Sequence, residues 1–212
     1  MKKLLFLFAA IMTAATVLFF CGCSGKEMKR VSERRSGYFG ASNGVVTVTA
    51  VSGVRETPFA ADGAIGELKP YTLITVVPVT FDVDAVYTYK ASIADYTFGG
   101  TLIMHPFAAS YSAEVDTEAL SDFTVTLACG GNTQTLELKS LVTSEMLGYD
   151  KAIDCAETEL KPRGEYEIRA RMIKNPLGGD GLCWHVMFIA ADGSSSVLID
   201  PLTAKIIAKK IE

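Results

Sequence analysis

The sequence predicts a mainly β protein of the α+β kind, with a β-sandwich followed by a smaller domain of one helix and a three-stranded antiparallel sheet. Short segments rich in β-branched and aromatic residues fill the range 41–141, and turn residues separate them. Helical periodicity is clear only just after residue 149, and alternating segments follow it. An apolar content of 49% is too high for a disordered chain, so the protein can bury a substantial core.

The first 22 residues have the three-part pattern of an export signal. Met1-Lys2-Lys3 is basic, Leu4–Phe20 is apolar and uncharged, and small residues accompany the cysteines that follow. As a helix, the apolar stretch of 17 residues would extend about 25 Å, less than the roughly 30 Å hydrocarbon core of a bilayer. The pattern therefore predicts a signal peptide over 1–22, and a retained membrane anchor is the bland alternative.

The segment Phe20-Cys21-Gly22-Cys23 resembles the lipobox of bacterial lipoproteins, in which a small residue precedes the cysteine that becomes diacylated. The resemblance implies lipid on Cys23, which follows the small residue Gly22. Cys21 is the alternative, and it fits the pattern less well because the large residue Phe20 precedes it. It also implies a cell-envelope location on the outer side of the cytoplasmic membrane, extracellular or periplasmic. Each buried CH₂ of such a lipid contributes about 0.8 kcal/mol to attachment, so the membrane itself is a predicted partner. A cleaved signal without lipid is the second reading.

Charge and cysteine usage exclude several functions. Cleavage after residue 22 leaves 190 of the 212 residues, and the loss of Lys2 and Lys3 takes the formal charge from −4 to −6. An acidic chain without a basic cluster argues against binding to nucleic acid. Three cysteines then remain, either free or with one pair bridged, at spacings that match no metal site: Cys129, Cys155 and Cys183. No cofactor or metal is predicted.

The range 23–40 is polar and dotted with Gly and Ser, and is predicted to be a flexible tether between the lipid and the folded body. Beyond it, roughly seven short strands suggest an Ig-like β-sandwich over 41–141, although the Cys…Trp…Cys spacing of true Ig domains is missing. Gly99-Gly100 is predicted to be a turn, and Gly130-Gly131-Asn132 to close a hairpin. The strand segments are 45–51, 71–79, 79–89, 97–104, 123–127 and 136–138.

The range 142–212 has a different texture. Asp150 is a candidate N-cap for a helix that Pro162 and Gly164 would end. Its apolar face is formed by Ala152, Ile153, Ala156 and Leu160. A strand follows over 166–172, with alternate residues apolar and the residues between them charged (Glu165, Glu167, Arg169 and Arg171). Two more strands, 182–190 and 197–199, are joined by a turn at Asp192-Gly193, and a tail ends the chain.

This arrangement resembles a PepSY domain, a small α+β module of peptidase propeptides and bacterial surface proteins. The residues that carry the resemblance are the helix at 150–156, the strand at 184–188, the Asp192-Gly193 turn and the closing segment 197–207. The closing segment matches the pattern aliphatic-Asp-x-x-Thr-Gly-x-aliphatic, except that Ala204 stands in place of the Gly. The resemblance implies a non-catalytic module, and in propeptides such modules are associated with inhibition of the neighbouring peptidase.

Two groups of side chains are candidate sites. Cys183 and His185 lie two apart on a predicted strand and share a face, which is the minimal arrangement of a nucleophile and a base. Packing inside the protein is the simpler interpretation, because buried cysteines are usually inert. Tyr87, Tyr89 and Tyr96 belong to an aromatic-rich region and could face a sugar or peptide ligand, or could belong to the core. The motifs of serine hydrolases, zinc peptidases and nucleotide-binding loops are missing.

The sequence therefore predicts a non-catalytic, lipid-anchored envelope protein that binds or regulates another surface or secreted protein, with a peptidase as one candidate partner. The alternative is an extracellular module that binds carbohydrate or peptide through the sandwich tyrosines. A cysteine-dependent enzyme that uses Cys183 and His185 is the third hypothesis.

Overall fold

A computed structural model describes residues 30–60, 62, 64–179 and 181–211. The predicted signal peptide and its cysteines lie outside the described residues. The fold is mainly β, with thirteen strands and one α-helix in the part of the chain that is described. The strands are β1 (Val31–Ser42), β2 (Val46–Glu56), β3 (Leu68–Pro78), β4 (Thr88–Ile93), β5 (Tyr96–Thr101), β6 (Ile103–Met104), β7 (Tyr111–Val115), β8 (Phe123–Cys129), β9 (Asn132–Ser140), β10 (Glu167–Lys174), β11 (Leu182–Ala190), β12 (Gly193–Ile199) and β13 (Ile206–Ile211).

Two sheets are joined through one strand. The first sheet has the order β13-β12-β11-β10-β1-β2-β3-β7-β6, and the second has the order β5-β4-β8-β9. Neighbouring strands are antiparallel except β1 and β10, which run parallel. The far half of β1 also pairs with β9, Phe39 opposite Ser140 and Gly40 opposite Lys139. Strand β1 therefore belongs to both sheets.

The chain has two hydrophobic cores. In the N-terminal region, side chains from both sheets pack together; the largest include Phe39, Val48, Ile74, Phe123 and Leu138. In the C-terminal region, helix α1 (Tyr149–Leu160) packs on β10, β11 and β12. That second core contains Ile153, Ala156, Met172, Trp184, Phe188 and Ile199. Two regions of the chain thus bury separate cores on one continuous sheet.

Part of the predicted tether is wrong, because residues 31–40 belong to β1. This polar segment forms a central strand since it pairs with β2 on one side and β10 on the other, which satisfies its backbone groups. A bulge between Arg34 and Gly37 brings β1 very close to β2. A Cβ at Gly53 would lie 2.0 Å from the carbonyl oxygen of Arg34, so only glycine fits there.

The predicted strands and turns are confirmed in part. The hairpin at Gly130-Gly131 is confirmed as β8 and β9. Residues 79–87 were predicted to be strand and are loop, because Phe81 and Tyr87 fold back onto the ring of Tyr111. The turn predicted at Gly99-Gly100 is wrong, since both residues lie inside β5 and the chain turns at Ala94 instead.

The C-terminal region contains the predicted helix and one strand more than predicted. The helix begins after Gly148, which is its N-cap residue, so Asp150 lies in the first turn and not at the cap. The predicted tail forms β13, which makes four antiparallel strands beside β1. In the turn between β12 and β13, the Asp200 carboxylate accepts hydrogen bonds from the backbone N–H groups of Leu202 and Thr203, each at 2.9 Å. Ala204 has the positive φ, 59°, that a glycine would favour.

Candidate functional site

The charged face of β10 is the core of the candidate site. As predicted, Ile168, Ala170 and Met172 are buried in the helix-covered core, while Arg169 and Arg171 face the other way. That other face is not fully open to water, because the side chain of Glu167 is buried. Glu33 and Arg35 on β1 lie opposite Arg169 and Arg171. Parallel pairing of β1 with β10 thus brings charges from two distant parts of the chain to one face.

The Glu33 carboxylate is held at this face by three hydrogen bonds. Its Oε2 accepts hydrogen bonds from Nε of Arg171 at 2.9 Å and from Nη2 of the same residue, and its Oε1 accepts one from the Tyr71 hydroxyl at 2.8 Å. The Glu33 side chain is only 8% exposed, against 26% for Arg171. Burial alone would raise the pKa of Glu33, but the hydrogen bonds and charge of Arg171, together with Tyr71, hold it below the ordinary value. Glu33 is therefore ionised and fixed in place.

Tyr71 is the second partner of the Glu33 carboxylate. Burial, and then the charge of Glu33, raises the pKa of the Tyr71 hydroxyl far above its ordinary range. The hydroxyl therefore stays protonated and donates to Glu33. The guanidinium of Arg55 lies 4.5 Å from the centre of the Tyr71 ring, and it forms a salt bridge of 2.5 Å to Glu114. These contacts join Glu33, Tyr71 and Arg55 into one wall.

A cavity of about 280 Å³ opens beside this wall. Arg169 forms one side of it, with its guanidinium stacked 3.5 Å from the centre of the Phe59 ring. The lining residues are Ser32, Glu33, Arg55, Glu56, Thr57, Phe59, Arg169 and Arg171. Three arginines and two glutamates make this lining positive by one charge, although the whole chain has a net charge of −4. We call this cavity the charged cleft.

Polar atoms in the walls of the charged cleft remain without partners. Glu56 is 6% exposed, and its Oε1 accepts a hydrogen bond from the Gly66 N–H at 2.5 Å. Its Oε2, like Nε of Arg169, is buried and makes no hydrogen bond within the described part of the chain. A buried polar atom without a partner costs about 1–3 kcal/mol. These unpartnered atoms set the charged cleft apart from an ordinary charged surface.

Most residues of this site were not predicted from the sequence. Arg169 and Arg171 were assigned to a charged strand face, but Glu33, Glu56, Phe59 and Tyr71 were not singled out. The strict alternation of Glu and Arg with apolar residues on β10 is also the ordinary pattern of a strand with one face in water, so it did not single out this site. Glu33 lies 38 residues from Tyr71 and 138 residues from Arg171 in sequence, so spacing could not identify these contacts.

Cys183 and His185 share a face of β11, next to the charged cleft, since His185 lies opposite Arg171. Cys183 is buried, and burial raises the pKa of its thiol. Burial, and then the charges of Arg171 and Arg35, lowers the pKa of His185. No hydrogen bond joins the two side chains among the described residues. A thiol with a raised pKa is a weak nucleophile, so this arrangement does not favour the cysteine-dependent chemistry.

The three candidate tyrosines differ in exposure. Tyr87 and Tyr89 pack against the N-terminal core, and the ring of Tyr87 lies 4.8 Å from that of Tyr111. Tyr96 is 65% exposed and lies beside Phe98 on the edge strand β5. The proposed lipidation residues, Cys23 and Cys21, lie outside the described residues.

An exposed apolar surface lies at one end of the N-terminal region. Phe107, in the loop between β6 and β7, is 94% exposed. The neighbouring turns and loops belong to the same end, since Val79 donates its N–H to the Val45 carbonyl and the Tyr111 hydroxyl donates to the Asp82 carbonyl. We define the distal patch as the exposed residues Val45, Val79, Val83, Val86, Ile103, Met104 and Phe107.

Several possible sites are not found in the described ranges. Among residues 30–60, 62, 64–179 and 181–211, no group of three or more His, Cys, Asp or Glu side chains could hold a metal ion. Cys129, Cys155 and Cys183 are free. Within those same ranges, no helix combines the length and the apolar character needed to cross a membrane.

Comparison with known proteins found no matching family model, no similar curated protein and no similar solved structure.

Proposed function

We propose that this chain is a non-catalytic, lipid-anchored protein of the cell envelope, and that it binds another surface or secreted protein through the distal patch. The observation that carries the proposal is the distal patch itself, in which Phe107 is almost fully exposed. Contiguous exposed apolar surface is uncommon on soluble proteins and marks sites of contact with proteins or membranes. An aromatic side chain is also the residue type that most often dominates binding energy at protein interfaces.

The position of the distal patch supports a protein partner. The described chain begins beside the start of β1, where Val31 lies opposite Ile168. The patch lies at the opposite end of β1, β2 and β3, next to the turn after Ser42. Strand β3 has 11 residues and therefore spans about 35 Å. With lipid on Cys23, the patch would point away from the bilayer.

The charge around the distal patch also favours a protein over a lipid surface. Asp82 and Asp84 are exposed in the same loop as Val79, Val83 and Val86. Anionic lipid surfaces attract basic side chains and repel carboxylates. An apolar centre with acidic neighbours is instead the ordinary arrangement of a protein interface, in which a polar rim surrounds an apolar core.

The architecture fits the two parts named from sequence. Residues of both sheets bury a common core in the N-terminal region, which supports an Ig-like β-sandwich as its description. In the C-terminal region, a helix covers one face of an antiparallel sheet and Asp200 caps the turn before the last strand, which supports a PepSY-like domain. A PepSY-like domain makes a peptidase one candidate partner of the protein.

The test is site-specific crosslinking in the native envelope. A photoreactive phenylalanine analogue replaces Phe107 in the full-length, lipid-modified protein. The matched control places the same analogue at Leu120, which is 85% exposed and follows the opposite end of β7. We expect one protein to crosslink from position 107 and not from position 120. The purified partner should bind the wild-type protein, and Phe107→Ser should weaken that binding at least tenfold, about 1.4 kcal/mol.

Equal crosslinking from both positions, or a partner that binds Phe107→Ser as tightly as wild type, would contradict the proposal. If the partner is a peptidase, its activity on a peptide substrate is measured with and without the wild-type protein. Inhibition that Phe107→Ser abolishes would identify the regulatory role.

A further inference from the structure

The charged cleft is not used by the proposed function. It lies where β1, β2 and β10 meet, near the start of the described chain and away from the distal patch. Three features distinguish it from an ordinary charged surface. It encloses a cavity of about 280 Å³, its Glu33 carboxylate is already fully engaged, and buried atoms of Glu56 and Arg169 lack partners in the described chain.

We propose that the charged cleft binds a free amino acid, with its carboxylate on Arg169 and its ammonium group on Glu56. The inference stands apart from the proposed function, since it uses neither the distal patch nor a protein partner.

The carboxylate follows from the guanidinium groups. Arg171 is occupied by Glu33 and Arg55 by Glu114, whereas Arg169 forms no hydrogen bond to a carboxylate in the described chain. The guanidinium carbon of Arg169 lies over the Phe59 ring, 3.5 Å from its centre. A guanidinium without a carboxylate partner presents a fork of donors that matches a carboxylate.

The ammonium group follows from Glu56. Its Oε1 is bound to the Gly66 N–H, and its Oε2 is buried in the cavity wall without a donor. An ionised carboxylate oxygen accepts most strongly from a charged donor. A ligand ammonium would supply that donor, and would also offset the negative charge of Glu56.

The size and charge of the cavity favour a molecule of amino-acid size over inorganic phosphate. Ligand pockets commonly measure about 300–1,000 Å³, so this cavity is at the small end and fits a molecule of amino-acid size. Its lining is positive by one charge, which favours a ligand with a carboxylate. Glu33 and Glu56 in the same lining would repel the second charge of inorganic phosphate.

The experiment is a ligand screen on the full-length protein in detergent. Each common L-amino acid is added at about 10 mM, and the melting temperature is followed, then the best ligand is titrated by calorimetry. A ligand in excess over its dissociation constant should raise the melting temperature by about 3 °C or more. The methyl ester of that amino acid lacks the carboxylate and should not bind. The analogue without the amino group should bind at least tenfold more weakly.

Variants assign the contacts. Arg169→Gln should weaken binding at least tenfold, whereas the exposed Arg163→Gln should stay within twofold of wild type. Glu56→Gln should weaken binding of the amino acid but not of its analogue without the amino group, and Glu165→Gln serves as its exposed control. If Arg169→Gln does not fold, Arg169→Lys keeps the charge without the fork and should still bind more weakly.

Three results would overturn the inference. The first is that no amino acid stabilises the wild-type protein or gives a heat of binding. The second is that phosphate binds as tightly as the best amino acid. The third is that the best ligand binds a folded Arg169 variant as tightly as wild type.

Discussion

The two ends of the central strands β1, β2 and β3 differ in which side chains they bury and which they expose. Near the start of β1, charged residues are buried and paired: Glu33 is held by Arg171 and Tyr71. At the other end, apolar residues are exposed, and Phe107 lies almost wholly in solvent. One end therefore inverts the ordinary rule for charges, and the other inverts the rule for apolar side chains.

This difference indicates that the buried ion pair of Glu33 contributes to stability, whereas the distal patch is available for binding. A buried ion pair is costly to break, because removal of one partner leaves the other charge without compensation. A cluster of exposed apolar side chains contributes little to folding, and such clusters mark surfaces of contact with other molecules. Substitution of Glu33 should therefore affect stability, whereas substitutions at the distal patch should affect binding alone.

The largest effect is expected for Glu33→Ala. Loss of this carboxylate removes the main partner of Arg171. The Arg171 guanidinium is then left beside two other arginines, Arg35 on β1 and Arg169 on β10. We expect the free energy of unfolding to fall by about 3 kcal/mol, at the low end for buried pairs because Arg171 is partly exposed. Urea denaturation of Glu33→Ala beside Glu165→Ala, an exposed glutamate, measures the difference. A loss below about 1 kcal/mol for Glu33→Ala would mean that the pair is not structural.

A smaller effect is expected from acid. The pKa of Glu33 is lower in the folded than in the unfolded protein, so its contribution is complete above the ordinary carboxyl pKa. That contribution is lost as the pH falls through the lowered, folded-state pKa, where Glu33 becomes protonated. The unfolding free energy should therefore decline with acid less steeply in Glu33→Gln than in wild type. Parallel pH profiles for the two proteins would show that other groups carry the acid sensitivity.

The smallest effect on stability is expected for Phe107→Ser. The ring is 94% exposed, so its loss removes little buried surface, and the unfolding free energy should change by less than about 0.5 kcal/mol. Thermal melting of Phe107→Ser and Leu120→Ser should give the same midpoint as wild type. A marked loss of stability only in Phe107→Ser would show that this residue packs within the protein and is not free for a partner.

The sequence was sufficient where local pattern and tertiary contacts agree. The hairpin at Gly130-Gly131 and the helix at 149–160 follow from turn chemistry and helical spacing. The strand β10 was also predicted with its two faces correctly assigned. In each of these the determining contacts lie within a few residues along the chain.

The sequence was insufficient where contacts between residues far apart in the chain determine the local structure. The polar segment 31–40 has the composition of a tether, and it is a strand because it pairs with β2 and with β10, which is far away in sequence. Residues 79–87 alternate like a strand, and they are a loop because Phe81 and Tyr87 pack on Tyr111. The charged cleft depends on the same long-range pairing of β1 with β10, so its glutamates could not be grouped from spacing.

The proposed direction of the distal patch, away from the bilayer, depends on attachment of the protein to the membrane near the start of β1. Mass spectrometry of the native protein tests this most directly. The account predicts an amino-terminal Cys23 that carries fatty acyl groups, with residues 1–22 removed. An intact amino terminus without acyl groups would contradict it, because the distal patch would then have no defined direction relative to a bilayer.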